Sequence, residues 1–244
     1  MDINNKVVVI TGGANGIGKA CVKEFLKEDA IIVIADVDKE NGMKLTRELG
    51  DTVNFFKTDV AKEEDVINLK NYIMTKFGRI DILINNAAKQ TENKFFEMKP
   101  EEFKRIIDTN LNGTYMCSNI LGKEMKRGSK ILNMLSVHYD KPRKYKYHYD
   151  ASKAGIAILT KEIALELVNE GITVNGVSYG ACRTSMNSEW IDDINKMNKT
   201  LEKIPMKWIA EPEEIAVFVV NILKNFCDYT TGSIFTIDGG RSLI

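Results

Sequence analysis

Along the chain, short runs of β-branched and aliphatic residues alternate with longer stretches whose apolar positions recur every three or four residues. KVVVIT (6–11), AIIVIAD (30–36), TVNFFKTD (52–59), DILINN (81–86), KILNMLS (130–136), GITVNGVS (171–178) and SIFTIDGG (233–240) read as strands. Between them, 17–28, 39–49, 62–77, 101–126, 149–170 and EPEEIAVFVVNIL (211–223) carry helical spacing. Alternation of this kind predicts βαβ units, and strands that are apolar throughout predict a parallel sheet covered on both faces. The expected fold class is therefore α/β, a doubly wound parallel sheet of about seven strands with helices on both faces. No linker and no repeat interrupts the pattern, so one domain over 1–244 is the simplest organisation.

The stretch RTSMNSEWIDDINKMNKTLEKIPMKW (183–208) breaks the rhythm. It leaves the carboxyl end of a central strand, where ligands bind in such sheets, which makes it a candidate substrate lid; a surface helix of no special purpose is the other reading.

Composition narrows the partners. Lysine plus arginine (34) equals aspartate plus glutamate (34), so no global charge steers the chain to nucleic acid or an anionic membrane. Cys21, Cys117, Cys182 and Cys227 lie far apart without CxxC spacing, which points to reduced thiols and no metal site. The opening MDINNKVVVITGG lacks a basic start before an apolar stretch, and no apolar run approaches the ~20 residues that span a bilayer. A soluble, cytoplasmic protein is expected.

The first strand runs into TGGANGIGK, with Gly12, Gly16 and Gly18 just before a helix. Glycines at such a turn let the backbone approach a pyrophosphate whose charge the helix N-terminus favours, the arrangement of a Rossmann-type dinucleotide site. The second strand ends at Asp36, where a carboxylate accepts hydrogen bonds from an adenosine ribose and repels a 2′-phosphate. No basic residue sits at Ala14 or Asn15 to attract that phosphate, so NAD is expected over NADP. Asp59 ends the third strand; it reaches the adenine or caps the following helix.

The segment HYDKPRKYKYHYDASK (138–153) is dense in tyrosine and positive charge. On a helix starting near Tyr149, residues four apart share a face, so Tyr149 projects with Lys153, whereas Tyr145 and Tyr147 have no lysine at that spacing. A nearby ammonium favours the phenolate and brings a phenol, which ordinarily titrates near pH ~10, toward the range useful for proton transfer. Ser136 ends a strand upstream, and Asn110 falls in DTNLNGTY within a helical stretch.

With these residues in order, the chain resembles the short-chain dehydrogenase/reductase family over its full length. TGGANGIG matches the family's TGxxxGxG turn, NNAA (85–88) its NNAG, and Asn110, Ser136, Tyr149 and Lys153 its catalytic set. The YxxxK spacing differs from that of the family's enoyl reductase branch. The resemblance implies hydride transfer between a nicotinamide and a carbonyl or alcohol carbon. In it Tyr149 exchanges the proton, Lys153 lowers its pKa and holds the nicotinamide ribose, Ser136 polarises the substrate oxygen and Asn110 holds a relay water. It assigns cofactor contacts to Gly12, Asn15, Gly16, Ile17, Gly18, Asp36, Asp59, Val60, Asn86, Ala87, Tyr149, Lys153, Tyr179, Gly180, Cys182 and Thr184. It also implies a homotetramer or homodimer built through the helices at 101–126 and 149–170 and the C-terminal segment.

Two departures stand out. Where the family usually carries Pro-Gly after the sixth strand, this chain has SYGACRT, with Tyr179 in the proline's place. Its ring either stacks near the substrate or nicotinamide, or is a tolerated substitution. Cys182, without a general base nearby in sequence, reads as a packing or backbone position rather than a nucleophile. The insert KPRKYKY adds Lys141, Arg143, Lys144 and Lys146 to a wall of the expected cleft. It is either a lure for an anionic substrate or a solvated loop, with Tyr145 and Tyr147 lining the cleft or packing at a subunit contact.

SVH (136–138), HYDASK (148–153) and IPMKWIAEPEEIA (204–216) resemble the glucose 1-dehydrogenase group, which makes a sugar or polyol the leading small-molecule alcohol or carbonyl substrate. A 3-oxoacyl thioester and a hydroxysteroid are the alternatives, and a non-catalytic NAD(H)-binding redox sensor is the alternative of another class.

Overall fold

In the computed structural model, which describes residues 2–225 and 227–244, seven strands lie parallel in one sheet. They are β1 (Val7–Thr11), β2 (Ile31–Asp36), β3 (Val53–Lys57), β4 (Ile80–Asn85), β5 (Met125–Met134), β6 (Thr173–Tyr179) and β7 (Ile234–Ile237). Their order is β3-β2-β1-β4-β5-β6-β7. The chain therefore winds outward from β1 to β3, returns to the other side of β1, and winds out again to β7. That reversal opens a crevice at the carboxyl ends of β1 and β4.

Residue alternation along the central strands explains the two covered faces. Val8 and Ile10 of β1 pack with Ile32, Ile34, Ile82 and Ile84 against α1 (Gly16–Leu26) and α9 (Pro212–Asn225), through residues such as Phe25, Ile215 and Val219. Val7 and Val9 face the other way, toward Val66, Leu69 and Ile73 of α3 (Glu63–Phe77), and Cys117 and Leu121 of α5 (Gly113–Gly122). Strands buried on both faces need apolar residues at every position, which is why they read as continuous runs rather than alternating ones. α2 (Lys39–Leu49) adds Leu45 to the first of these layers.

Two helical expectations are corrected. The stretch 101–126 is not one helix: α4 (Pro100–Ile107) and α5 are joined by a π-helical turn, Asp108–Asn112, closed by the Gly113 N–H donating to the Asp108 carbonyl. The helix ends at Gly122, and β5 begins at Met125 rather than Lys130. Met125 pairs with Ile80 and Lys130 with Ile82, so the extra residues bulge out with Gly128 at φ +90°. Exposed Lys126, Arg127 and Gly128 carry no apolar signal that would mark them as strand.

α6 spans Tyr147–Leu167 rather than 149–170; Gly171, at φ +71°, lies in the turn that ends it. The segment after β6 holds two short helices, α7 (Ser188–Ile191) and α8 (Ile194–Glu202), before α9. No helix among the described residues is long and apolar enough to cross a membrane.

Candidate active site

The crevice is a cleft of about 460 Å³ that runs from the β1–β2 end to the loops after β5, β6 and β7. At one end the glycine turn shapes it. Gly12 (φ +66°) and Gly16 (φ +52°) adopt left-handed backbone conformations, and a Cβ on Gly12 would stand 2.8 Å from Ala87 Cα. Asn15 precedes α1 without a side-chain cap, and the first turn holds no acidic residue, so the leading amides of α1 remain available to an anion. Asn15 instead donates through Nδ2 to Asp38, at 2.9 Å.

Asp36 receives the Ala14 N–H at 2.9 Å and the Asp38 N–H at 3.0 Å, which fixes its carboxylate beside the turn. Asn86 donates through Nδ2 to the Thr11 and Gly12 carbonyls, both at 3.0 Å, and the Asn86 and Ala87 N–H groups donate to Thr11 Oγ1. The NNAA segment is thereby locked to the glycine turn. Asp59 makes a local turn, its Oδ1 accepting from Ala61 N at 3.1 Å, while the residue preceding α3 is Lys62. The helix-cap reading of Asp59 is therefore replaced by a turn at the cleft wall.

These features fit a dinucleotide. The uncapped helix amides suit a diphosphate, Asp36 suits a ribose diol, and the lining at residues 12–17, 35–37 and 58–60 contains no basic side chain. Gly12, Asn15, Gly16, Ile17, Asp36, Asp59, Val60, Asn86, Ala87, Tyr179, Gly180, Cys182 and Thr184 all line the cleft. Gly18 does not. A Cβ there would stand 2.1 Å from the Gly12 carbonyl oxygen, so this glycine lets α1 seat against the turn rather than touch a ligand.

At the other end, Ser136 and Tyr149 line the cleft together. Ser136 Oγ accepts from His138 N at 3.3 Å, which leaves its own O–H free to donate. Tyr149 is buried, and burial holds its pKa above the usual tyrosine value; the charge of Arg143 and hydrogen bonding by the Tyr179 and Ser136 hydroxyls offset this only in part. Tyr179 is itself pushed well above the usual tyrosine range by burial and by Tyr149. The side chain in the proline's place thus reaches the Tyr149 phenol with its hydroxyl.

Lys153 stands behind Tyr149 rather than on the cleft surface, 1% exposed, with Nζ donating to the Met134 carbonyl at 2.6 Å and lying 5.5 Å from the Tyr149 ring centroid. Burial brings its pKa down to about 7. Asn110 also stops short of the cleft. Its Oδ1 accepts from Lys89 N at 2.8 Å, and its Nδ2 donates to the Lys89 carbonyl and to Ser152 Oγ, both at 3.0 Å, so it tethers the loop after β4. Its neighbour Thr109 does line the cleft, with a buried hydroxyl lacking a hydrogen-bond partner among the described residues.

The basic insert splits. Arg143, Lys144 and Lys146 line the cleft, whereas Lys141 turns away to the Ile244 carbonyl at 2.6 Å. Tyr145 is exposed, and Tyr147 packs against Phe95 and Phe103; neither lines the cleft. Cys182 borders the cleft but belongs to the apolar core, and burial pushes its thiol up to about 12, which suits packing rather than nucleophilic attack. Lys89, Gln90, Glu92, His138 and Arg241 also line the cleft. Sequence reading missed them because they come from loops after β4, β5 and β7 with no periodicity or motif to mark them. Among the described residues, no group of three or more histidine, cysteine or acidic side chains converges to hold a metal.

Comparison with known proteins agrees with this geometry. A family model described as enoyl-(acyl carrier protein) reductase matches residues 12–242. Glucose 1-dehydrogenase 2 of Bacillus subtilis is 33% identical over 99% of this chain and 96% of that protein. The 3beta-hydroxysteroid dehydrogenase 1 of Eggerthella lenta is also 33% identical, over 99% of this chain and 95% of its own. The crystal structure of a short-chain dehydrogenase/reductase described as a glucose/ribitol dehydrogenase from Brucella melitensis superposes with a TM-score of 0.93 at 28% identity, covering 98% of each chain. Similarity this long, on a sheet whose glycine turn and Ser136–Tyr149 pair open into one cleft, makes the chain a member of the short-chain dehydrogenase/reductase family, oxidoreductases that bind a nicotinamide cofactor.

Proposed function

We propose that the protein is an NAD-dependent oxidoreductase acting on the alcohol or carbonyl carbon of a small sugar or polyol. The observation that carries the reading is the joint lining of one cleft by the uncapped glycine turn, Asp36, Ser136 and Tyr149. A bound nicotinamide would supply or accept the hydride. Gly12, Asn15, Gly16, Ile17, Thr184 and Gly180 would hold its diphosphate and nicotinamide side, and Asp36, Asp59 and Val60 its adenosine side. Asp36 supports NAD over NADP because a 2′-phosphate would meet a carboxylate without a basic partner in that part of the wall.

Tyr149 Oη would donate or take the substrate proton, and the Ser136 O–H would hold the substrate oxygen in place. Lys153, next to the phenol, would add positive charge when protonated, and contact with the nicotinamide ribose would require its Nζ to turn from the Met134 carbonyl toward the cleft. Asn110 would act through the Lys89 loop and a relay water. The segment carrying α7 and α8 supports a lid reading, since Thr184, Ser185, Met186, Asn187 and Thr200 line the cleft.

The similarity to the Eggerthella lenta enzyme supports a hydroxysteroid as the second substrate reading. The 3-oxoacyl and enoyl thioester readings are weaker, the former because of Asp36 and the latter because of the Tyr149–Lys153 spacing. The test is NADH and NADPH formation across neutral polyols, sugars, acidic and phosphorylated alcohols and hydroxysteroids, with Tyr149→Phe as the blank. Turnover with NAD that vanishes in Tyr149→Phe, with NADH affinity kept within about threefold, is expected. Unchanged turnover in that variant would sink the assignment, and NADH binding without turnover on any class would favour a redox-sensing protein.

A further inference from the structure

Two arginines far apart in sequence meet at the catalytic end of the cleft. Arg143 belongs to the loop between Ser136 and Tyr149, and Arg241 follows β7 after the Asp238-Gly239-Gly240 turn. Both line the cleft with Ser136, His138, Tyr149 and Tyr179.

Neither guanidinium is fully satisfied by protein. Arg143 donates its backbone N–H and an Nη2–H to the Asp150 carboxylate, at 2.8 and 3.1 Å, but its Nε is buried without a hydrogen-bond partner among the described residues. Arg241 has Asp238 close in sequence, yet that carboxylate is engaged by the Gly240 N–H at 2.9 Å and the Ser242 N–H at 2.6 Å. Arg241 Nη1 is likewise buried without a partner among the described residues. Buried donors are rarely left unpaired, and a guanidinium cannot escape by losing its proton.

The surroundings sharpen the chemistry. Burial and the charge of Arg143 lower the pKa of Arg241, and burial together with both arginines drives His138 down to about 3. His138 is thus neutral; its Nδ1–H donates to the Lys141 carbonyl at 2.7 Å, which leaves Nε2 as an acceptor. Glu92, the acidic residue on this part of the wall, is paired with Lys146 at 3.0 Å. The opposite end of the cleft carries Asp36 and Asp59. Positive charge is therefore concentrated beside the catalytic phenol and away from the adenosine end.

We propose that Arg143 and Arg241 form an oxyanion subsite that grips a carboxylate or phosphate of the substrate while a neighbouring carbinol or carbonyl carbon faces Tyr149. The natural substrate class is then an acidic or phosphorylated polyol rather than a free sugar. An oxyanion held between the two side chains offers acceptors to both guanidinium groups and relieves the repulsion between the arginines. The inference rests on the oxidoreductase reading for its chemistry, but the subsite itself can be tested by binding alone.

The test compares glucitol, gluconate and glucitol 6-phosphate at constant ionic strength in the wild type, Arg143→Gln and Arg241→Gln. The expected result is a kcat/KM for one anionic probe about tenfold or more above glucitol, with that ratio falling about tenfold in Arg241→Gln, mainly through KM, and the NADH dissociation constant within about threefold. The preferred anionic arm tells carboxylate from phosphate. Inorganic sulfate should raise the melting temperature of the wild type but not of Arg241→Gln, and should compete with the anionic probe in the wild type, a result independent of how the variants fold. Equal preference for glucitol, or a ratio unmoved in Arg241→Gln, overturns the proposal. So does a loss of NADH affinity as large as the loss of substrate affinity, which would assign the arginines to the cofactor diphosphate. Sulfate stabilisation lost in Arg241→Gln without turnover of any probe keeps the subsite and rejects the oxidoreductase; turnover of glucitol with no effect of sulfate does the reverse.

Discussion

The guanidinium carbon of Arg143 lies 5.4 Å from the centroid of the Tyr149 ring, while the same group holds the Asp150 carboxylate at 3.1 Å. It is the cation that most offsets the effect of burial on the Tyr149 phenol. The sequence pairs Tyr149 with Lys153; the folded cleft adds a second cation from the preceding loop.

Replacing Arg143 with glutamine removes a charge that favours the phenolate and leaves Asp150, which disfavours it. Tyr149 should therefore titrate higher. The ascending limb of the pH–rate profile for alcohol oxidation is expected to move toward alkaline pH. An unshifted limb in Arg143→Gln would mean the two groups are not coupled.

Lys153 makes stability depend on pH. Its pKa in the folded chain is about 7, below the value of ~10.4 in an unfolded one, so between those limits the unfolded chain binds more protons and stability rises with pH. Below about pH 7 the buried ammonium carries its full cost. Lys153→Met should therefore abolish turnover yet melt higher than the wild type at pH 6 to 7, and the gap should narrow toward pH 10. Each unit of displacement corresponds to about 1.4 kcal/mol, partly offset by the hydrogen bond to the Met134 carbonyl. A gap that widens toward pH 10 would reverse the sign of this argument.

Tyr179 tests the departure from the family's proline. Tyr179→Phe keeps the ring but removes a hydroxyl that lowers the Tyr149 pKa. The expected outcome is a several-fold drop in kcat near neutral pH that recovers at alkaline pH, with little change in the KM for NAD. Michaelis constants for both substrates unchanged in Tyr179→Pro, with an unmoved profile in Tyr179→Phe, would make the tyrosine a passive replacement.

Asp36 should set cofactor choice. In Asp36→Asn the repulsion of a 2′-phosphate is lost along with part of the anchor for Ala14 N–H. The ratio of kcat/KM for NAD over NADP is expected to fall about tenfold or more, because one charge at short range is worth at least about 1.4 kcal/mol in a partly buried site. Equal use of NAD and NADP by the wild type would refute the assignment at once.

Assembly is read from surface apolarity. Tyr115 on α5 and Ile158, Leu165 and Val168 on and after α6 are exposed, as are Leu243 and Ile244. Large apolar side chains at the surface in such numbers favour a contact with a second copy of the chain. Light scattering is expected to give two or four times the mass of one chain, and a single-chain mass would reject the oligomer.

Much of the fold was legible because it depends on local pattern. Short, mostly aliphatic and β-branched runs at 7–11, 31–36 and 80–85, bounded by turn residues, read as strands buried on both faces, and glycines at 12 and 16 serve backbone conformations that a single position in the sequence dictates. Tyr149 and Lys153 were legible for the same reason, since four residues on a helix fix a shared face. The break inside 101–126 was not, because a π-helical turn keeps apolar spacing while changing which backbone groups pair, and no residue type announces it.

The sequence by itself determined the succession of strands and helices, the glycine turn and the Tyr149–Lys153 pair, which rest on interactions between residues close along the chain, and it placed Asp36 at the end of the next strand, which the β1–β2 pairing brings to the turn. Only the tertiary structure decided that Asn110 tethers Lys89 instead of facing the cleft, that Tyr179 meets Tyr149, and that Arg241 stands at the same end of the cleft as Arg143. These contacts join loops after different strands. Sheet order, rather than sequence distance, brings those loops together, and charge and burial acquire their meaning only at the place where they meet.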